Sequence, residues 1–145
     1  MQVAFIGCTK RKKGYPCPAY EMYSMSALFR KAYAYCNDHY DRVYILSAKY
    51  GLVEPKAIIE PYDITLSSMN AGQKREWAAQ VILQLKAENE AGRLDLGKVQ
   101  KFVFHTGEEY RRYLVDLLPS GLSLVPLKGM GIGQQLRFYT ERGYK

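Results

Sequence analysis

Blocks of apolar residues with two different spacings follow one another along the chain, and they predict strands and helices in alternation. Four continuous apolar runs are typical of strands buried on both faces, and they cover residues 2–8, 42–48, 99–106 and 122–127. Four segments repeat their apolar residues at helical spacing, and they cover residues 26–40, 71–91, 108–118 and 134–141. Residues 49–69 show no clear period, so we expect a long ordered loop there.

The alternation of strands with helices also predicts how the elements assemble. Consecutive strands joined by helices form right-handed crossovers and a mostly parallel sheet. We therefore predict one α/β domain over residues 1–145, a three-layer sandwich with a mostly parallel sheet of about four strands flanked by helices. The length is usual for a single domain with one proper core, and the sequence contains neither an internal repeat nor a linker.

Composition narrows the setting in which the protein works. No apolar run approaches the roughly 20 residues that span a bilayer, and no signal peptide is recognisable, so we expect no membrane partner. Three irregularly spaced cysteines argue against a disulfide framework and favour a reducing, cytoplasmic location. The net charge of +7 favours anionic partners such as nucleotides or nucleic acid. The 13 tyrosines either stack on bases or pack at the margin of the core.

Polar residues cluster where each predicted strand ends. In an open parallel α/β sheet, ligands bind outside the carboxyl ends of the strands. Four strand ends carry unusual polar or glycine-rich sequences. These are Gly7-Cys8-Thr9-Lys10, Ser47-Ala48-Lys49-Tyr50-Gly51, His105-Thr106-Gly107 and Lys128-Gly129-Met130-Gly131-Ile132-Gly133. The sequence therefore predicts a ligand site at this edge of the sheet.

Four residues near these ends have side chains suited to chemistry or charge. Cys8 is a nucleophile if neighbouring cations lower the pKa of its thiol, or else a small packed side chain. Lys10 would hold a phosphate or carboxylate, unless residues 10–13 form a plain solvated basic loop. Lys49 is an anion-binding or catalytic candidate, or a surface lysine whose stem covers the core. Asp63 would act as a general acid or base, or cap a turn.

Other residues would bind rather than react. Ser47 shares its side of the strand with Lys49, and His105 is either an acid–base group or a satisfied strand-end histidine. Gly131 and Gly133 belong to a G-x-G-x-G run that suits a phosphate or serves as a connector, and Gln134 could read a base edge.

Metal binding has little support in the sequence. Cys36 and His39 have C-x-x-H spacing, but they lie on a predicted helix without a second close pair. We predict neither a metal site nor a cofactor.

Motifs along nearly the whole chain also resemble a known family. The matching segments are Gly7-Cys8-Thr9-Lys10, Pro18-Ala19, Tyr23, Ser26, Leu28-Phe29, Ile45-Leu46-Ser47-Ala48-Lys49-Tyr50-Gly51-Leu52, Pro61-Tyr62-Asp63 and Gly131-Ile132-Gly133-Gln134-Gln135. They resemble an uncharacterised bacterial and phage domain of unknown function with SC-x-K, LSAK-x-GL and PYD motifs, in which Ser often stands where this chain has Gly7.

More distant similarities point towards nucleic acid and modified bases. The loop after the first strand is similar to that of the archaeosine synthase domain, of uracil-DNA glycosylases and of YaaA-like peroxide-stress proteins. The resemblance implies that Cys8, Lys10, Tyr23 and Ser26 form the site loop, with Lys49 opposite. This chain lacks the Lys-Pro-Tyr run of the synthase motif.

Together these observations favour an enzyme that acts on a nucleotide, nucleoside or nucleobase. Its substrate is either free or part of a nucleic acid that undergoes base modification. The expected reaction is glycosylase-like C–N bond cleavage or base transfer. The predicted catalytic residues are Cys8, Lys49 and Asp63. The predicted substrate-binding residues are Thr9, Lys10, Tyr23, Ser26, Ser47, Tyr62, His105, Gly131, Gly133 and Gln134, with Tyr23 or Tyr62 stacked on a base. The alternatives are a non-enzymatic DNA- or RNA-binding module and a sensor of small nucleotides.

Overall fold

The apolar runs form the strands of one central sheet in a computed structural model that describes residues 1–145. In chain order, the elements are β1 (Gln2–Gly7), β2 (Cys17–Pro18), α1 (Ala19–Met22), α2 (Ala27–His39), β3 (Arg42–Ser47), β4 (Gly51–Val53), β5 (Ile58–Ile59), a 3-10 turn (Leu66–Ser68), α3 (Ala71–Glu90), a second 3-10 turn (Leu96–Lys98), β6 (Lys101–His105), α4 (Glu108–Arg111), α5 (Leu114–Leu117), β7 (Ser123–Leu124) and α6 (Ile132–Glu141).

The central sheet has the strand order β4-β3-β1-β6-β7, and β2 and β5 form a separate antiparallel pair. β1 runs parallel to both β3 and β6, β6 runs parallel to β7, and only β4 is antiparallel to its neighbour. Ile6 lies opposite Ile45 on one side and His105 on the other, so the carboxyl ends of three strands meet at one edge. The predicted α/β class and mostly parallel sheet are confirmed.

Successive apolar side chains of β1 lie alternately in two separate clusters. Val3 and Phe5 pack in the cluster that contains Trp77 of α3. Ala4 and Ile6 pack in the cluster that contains residues of α2 and α6. This division follows from the strand period, because successive side chains point to opposite faces. Helices therefore bury both faces of the sheet, and none of them is both long and apolar enough to cross a membrane.

The sheet has five strands rather than about four, because residues 49–69 are not a plain loop. Gly51 has a φ of +73°, which lets the chain reverse after β3 and return as β4. Gln84 on α3 then covers this edge strand: its Oε1 accepts from the Leu52 N–H at 2.8 Å, and its Nε2 donates to the Tyr50 carbonyl at 2.9 Å.

Two other predicted elements are shorter or interrupted. The helix expected over residues 108–118 consists of two single-turn helices, α4 and α5. The strand expected over 122–127 is limited to Ser123–Leu124, and Pro126 follows it without an N–H to donate to a ladder.

Candidate functional site

The meeting of β1, β3 and β6 brings several polar side chains together at the carboxyl edge of the sheet. The Cys8 N–H extends the pairing beyond β1 by donating to the Leu46 carbonyl at 3.0 Å. Hydroxyl and thiol groups from five segments then form two hydrogen-bonded groups. We call this set the strand-end cluster, and it consists of Cys8, Tyr23, Ser47, Tyr62 and Tyr110.

Ser47 organises one half of the strand-end cluster. Its Oγ accepts from the backbone N–H groups of Lys49 at 3.2 Å and Tyr50 at 3.0 Å, and it donates to Tyr62 Oη at 2.8 Å. Tyr62 Oη lies 2.6 Å from Tyr23 Oη. The serine thus fixes both the turn after β3 and the position of Tyr62, which explains why it is fully buried.

Each of the two hydrogen-bonded groups of the strand-end cluster keeps one proton that no contact within the cluster uses. Ser47 donates its proton to Tyr62, and the single bond between Tyr62 and Tyr23 uses one of the two phenolic protons. The other phenolic proton has no acceptor within the chain. The same holds for Cys8 and Tyr110, which share one contact of 2.9 Å between Sγ and Oη. A ligand rich in acceptor atoms would satisfy both unmatched protons.

Electrostatics keep these tyrosines protonated and therefore able to donate. Burial raises the pKa of Tyr62, Tyr23 and Tyr110 well above the usual phenol value, and negative charge on Cys8 would raise each of them further. Cations lie outside this neutral group: the Lys12 ammonium lies 4.6 Å from the ring centroid of Tyr62.

A small cavity of about 110 Å³ lies between the ends of β1 and β6 and the helices α2 and α6. Cys8, Thr9, Thr106 and Gln135 are among its lining residues. Thr106 is adjacent to the strand-end cluster, because a Cβ built on Gly7 would lie 3.5 Å from both Thr106 Cβ and Tyr110 Cδ2. The Oγ1 atom of Thr106 is buried and has no hydrogen-bond partner.

A larger cleft of about 830 Å³ adjoins this cavity and shares Thr106, Gly107 and Gln135 with it. We call it the basic cleft, because its walls carry three cationic side chains and a single carboxylate. These are Arg111, Arg112, Lys128 and Glu108. Tyr110 and the two arginines are not among the residues predicted from the sequence. One signal could have found them: they lie within five residues after Gly107, in and directly after a short helix that starts at the ligand edge of the sheet.

The predicted catalytic residues are only partly brought together. Cys8 belongs to the strand-end cluster, whereas Lys49 and Asp63 are exposed and make no side-chain hydrogen bond or ion pair. Both are nevertheless chain neighbours of the cluster, since Lys49 lies two residues after Ser47 and Asp63 directly follows Tyr62. The Lys49 ammonium lies 5.2 Å from the ring centroid of Tyr50.

Several predicted binding residues have identifiable structural roles. Ser26 caps α2 by accepting from the Phe29 N–H at 3.2 Å. Thr9 Oγ1 donates to the Arg11 carbonyl at 2.9 Å. The side chain of Lys10 is exposed, and its backbone carbonyl accepts from the Lys12 ammonium. These contacts shape the basic loop.

Of the two tyrosines predicted to stack on a base, only Tyr62 is accessible. Tyr23 is fully buried, so neither face of its ring is open to a base, and its position in the strand-end cluster leaves it a hydrogen-bonding role. Tyr62 is half-buried, with Lys12 over its ring.

His105 lies in the core beside the small cavity. Its Nδ1 is 2.7 Å from Tyr139 Oη and its Nε2 is 3.1 Å from Tyr40 Oη, so both ring nitrogens have partners. Burial lowers the pKa of His105 to about 4, and the nearby His39 contributes to that shift. The imidazole is therefore neutral at neutral pH and does not supply a positive charge to the site.

The glycine-rich segment forms the start of α6. Gly131 occupies the N-cap, and its N–H donates to Gln134 Oε1 at 2.9 Å, while Gly133 is exposed in the first turn. Gly131 lines the basic cleft.

The cysteines and histidines form no metal centre. Cys36 is buried in the core, and the exposed ring of His39 stacks on Tyr35 with centroids 4.1 Å apart. No group of three or more His, Cys, Asp or Glu side chains is placed to hold a metal ion.

The fold and this edge define an α/β protein with a mostly parallel sheet, a thiol–hydroxyl cluster at its carboxyl edge and a basic cleft beside it. The chain belongs to a family of unknown function, DUF6884, whose model matches residues 3–141. Neither the curated proteins nor the solved structures contain a match to this chain. Membership of a domain family of unknown function is confirmed, and the similarities to archaeosine synthase, glycosylase and YaaA-like proteins stay predictions.

Proposed function

We propose that the protein is an enzyme that acts on a nucleotide, nucleoside or nucleobase, either free or within a nucleic acid. The observation that carries this proposal is the pair of unmatched neutral hydrogen-bond donors at the carboxyl edge of the sheet, next to cationic side chains. Bases offer ring nitrogens and carbonyl oxygens as acceptors, and phosphates offer anionic oxygens. A substrate of this class therefore matches both parts of the site.

The reaction we propose is cleavage or transfer at a C–N bond between sugar and base. The bond from the sugar carbon to the base nitrogen breaks, and water or a second base forms a new bond to that carbon. The incoming group loses a proton and the leaving base gains one. Neutral Tyr62 can donate a hydrogen bond to the leaving base, because burial raises its pKa. Asp63, the next residue, has a carboxylate free of partners to activate the incoming water, and Lys49 would neutralise an anionic group.

Cys8 offers a covalent variant of the same reaction. Its thiolate would attack the sugar carbon and release the base, and water would then displace the sulfur. The contact with Tyr110 holds the thiol at the cavity wall, where such an attack requires it.

The test is release of free base from a panel of nucleosides, nucleotides and short oligonucleotides, measured by chromatography. We expect Asp63→Asn or Cys8→Ser to lower the rate by about 100-fold or more, the usual size of a general-base or nucleophile effect. Lys49→Ala should also lower it. Asp116→Asn and Lys56→Ala are matched controls, because both residues are exposed and make no side-chain hydrogen bond or ion pair. Base release that none of the three site variants reduces would contradict the proposed roles, and no release from any substrate would contradict the enzyme.

A non-enzymatic DNA- or RNA-binding module is the second candidate, and the basic loop favours it. Residues 10–13 are all cationic, and the nearby Tyr15 is 55% exposed, so both backbone and base contacts are available. This candidate predicts oligonucleotide affinity that falls steeply with salt and is reduced a little by each of many Lys or Arg substitutions. A small-nucleotide sensor would instead bind one free nucleotide without turning it over.

A further inference from the structure

We propose that the basic cleft is the phosphate subsite of the substrate, so that the enzyme takes a free nucleoside monophosphate rather than a nucleoside or a base. This inference rests on the proposed function for the identity of the base-bearing part. The cleft includes Gly131 of the glycine-rich run that the sequence selects, but its cationic side chains are Arg111 of α4, Arg112 directly after it, and Lys128.

The cationic side chains of the basic cleft form no ion pair within the protein. Arg42 and Arg93 are paired with Glu88, and Lys74 lies 3.6 Å from Glu109, but Arg111, Arg112 and Lys128 form no ion pair. Glu108 is the only carboxylate among the residues that line the cleft. Three unpaired cations in one concave surface repel each other, and a bound dianion would relieve that repulsion.

Thr106, which lines both the basic cleft and the small cavity, carries a hydroxyl suited to a phosphate oxygen. Its Oγ1 is buried without a partner, and an oxyanion that reached it would accept its proton. The Arg111 guanidinium is held over this residue, with Nη1 donating to the Thr106 carbonyl at 3.4 Å. Thr106 thus carries an unpartnered hydroxyl and contacts a guanidinium through its carbonyl, and charge-assisted bonds from that guanidinium favour phosphate over a less polar group.

The position of the basic cleft relative to Cys8 indicates one extended ligand rather than an isolated anion. The small cavity at Cys8 has about 110 Å³, which is below the range of about 300–1,000 Å³ typical of ligand sites, whereas the cleft has about 830 Å³. Because both share Thr106, Gly107 and Gln135, a phosphate in the cleft leaves the attached nucleoside beside the cavity that Cys8, one member of the strand-end cluster, lines.

The experiment compares matched ligand pairs by isothermal titration calorimetry: each common nucleoside against its 5′-monophosphate, with ribose 5-phosphate, inorganic phosphate and a short oligonucleotide as further probes. We expect the monophosphate to bind at least tenfold more tightly than its nucleoside. Arg111→Gln and Lys128→Gln should each weaken binding of the monophosphate by a factor on the order of ten, which is the effect of losing a charge-assisted hydrogen bond. Arg111→Lys should retain part of that affinity.

Matched controls are Arg137→Gln and Lys56→Gln, because both side chains are exposed, make no hydrogen bond and lie outside the basic cleft. Equal affinity for nucleoside and monophosphate, with no effect of Arg111→Gln, would overturn the phosphate subsite and leave the proposed function standing. Arg111-dependent binding of ribose 5-phosphate and every monophosphate, without base release from any of them, would support the subsite and contradict the enzyme. Binding of the oligonucleotide alone would overturn the subsite, as would absence of all binding.

Discussion

Acidification from pH 7 to pH 5 should destabilise the protein through one buried side chain, His105. Only 7% of its surface is exposed, and its ring nitrogens face the hydroxyls of Tyr139 and Tyr40. Tyr35 and the exposed His39 are the other ring neighbours on that side. No carboxylate bonds to the imidazole, so no negative charge offsets the cost of burying its charged form.

The size of the effect follows from the difference in pKa between the two states. The folded pKa is about 4, against about 6.5 for an unfolded chain, so the unfolded state takes up the proton first as the pH falls. Stability from His105 is complete above about pH 6.5 and is lost progressively down to about pH 4. At pH 5 the loss amounts to about 2 kcal/mol, which corresponds to a melting temperature lower by about 4–8 °C.

Urea unfolding at pH 7 and pH 5 measures this loss directly, and an NMR titration of the imidazole measures the pKa itself. His105→Asn should be less stable at pH 7, but its stability should fall by about 2 kcal/mol less between the two pH values. The matched control His39→Asn should keep most of the wild-type pH dependence, because burial is the larger cause of the lowered pKa of His105 and the charge of His39 the smaller one. An imidazole that titrates near 6.5 in the folded protein, or a His105→Asn variant with an unchanged pH dependence, would refute the reasoning.

Three further predictions concern the turn after β3, its anchor and the thiol. Gly51→Ala should lower the free energy of unfolding, measured in urea, by about 2–4 kcal/mol, because φ is +73° and the new Cβ would lie 2.3 Å from Gln84 Oε1. The control Gly14→Ala should be nearly neutral, because the space around Gly14 is open. Trp77→Phe should lower the free energy of unfolding by about 1–3 kcal/mol, because the indole N–H of Trp77 donates at 2.8 Å to the Ser47 carbonyl that ends β3. An unchanged melting temperature would contradict a stabilising role for that hydrogen bond. A thiol reagent should label one cysteine in the native protein and three after unfolding, and Cys8→Ser should abolish the native label, because the other two thiols are buried.

The parts of the fold that the sequence predicts are those with long, regular apolar patterns. β1, β3 and β6 are continuous apolar runs, and α2 and α3 differ from the predicted bounds by a residue or so. β4 could not be predicted in the same way, because three residues show no period. Its existence depends on Gly51 and on a glutamine 33 positions further along the chain, and such a tertiary contact leaves no local signal.

The candidate site was predictable where it depends on strand ends and not where it depends on helix packing. Cys8 and Ser47 follow from the rule that parallel strands end at a ligand edge. Tyr110 and Arg111 are ordinary residues of a helical pattern, and only the packing of α4 against the end of β1 makes them part of the site. Tyr23 illustrates the opposite case, because burial removes a ring that the sequence offers for stacking.

The separation of neutral donors from cations has a consequence for how a substrate would bind. A lysine or arginine inside the strand-end cluster would lower the pKa of Tyr62 and stabilise its phenolate, which has no proton to donate. Here Lys12 lies over the face of the Tyr62 ring, and the unpaired arginines lie in the basic cleft. The charged end of a ligand is therefore bound away from the reacting bond, and the phenols stay protonated for the leaving base. The double variant Arg111→Gln, Tyr62→Phe should lose as much affinity for the monophosphate as Arg111→Gln alone, and as much rate of base release as Tyr62→Phe alone. The two groups act on different parts of the ligand, so their effects should be independent. Strongly non-additive losses would show instead that cleft and cluster form a single charged centre.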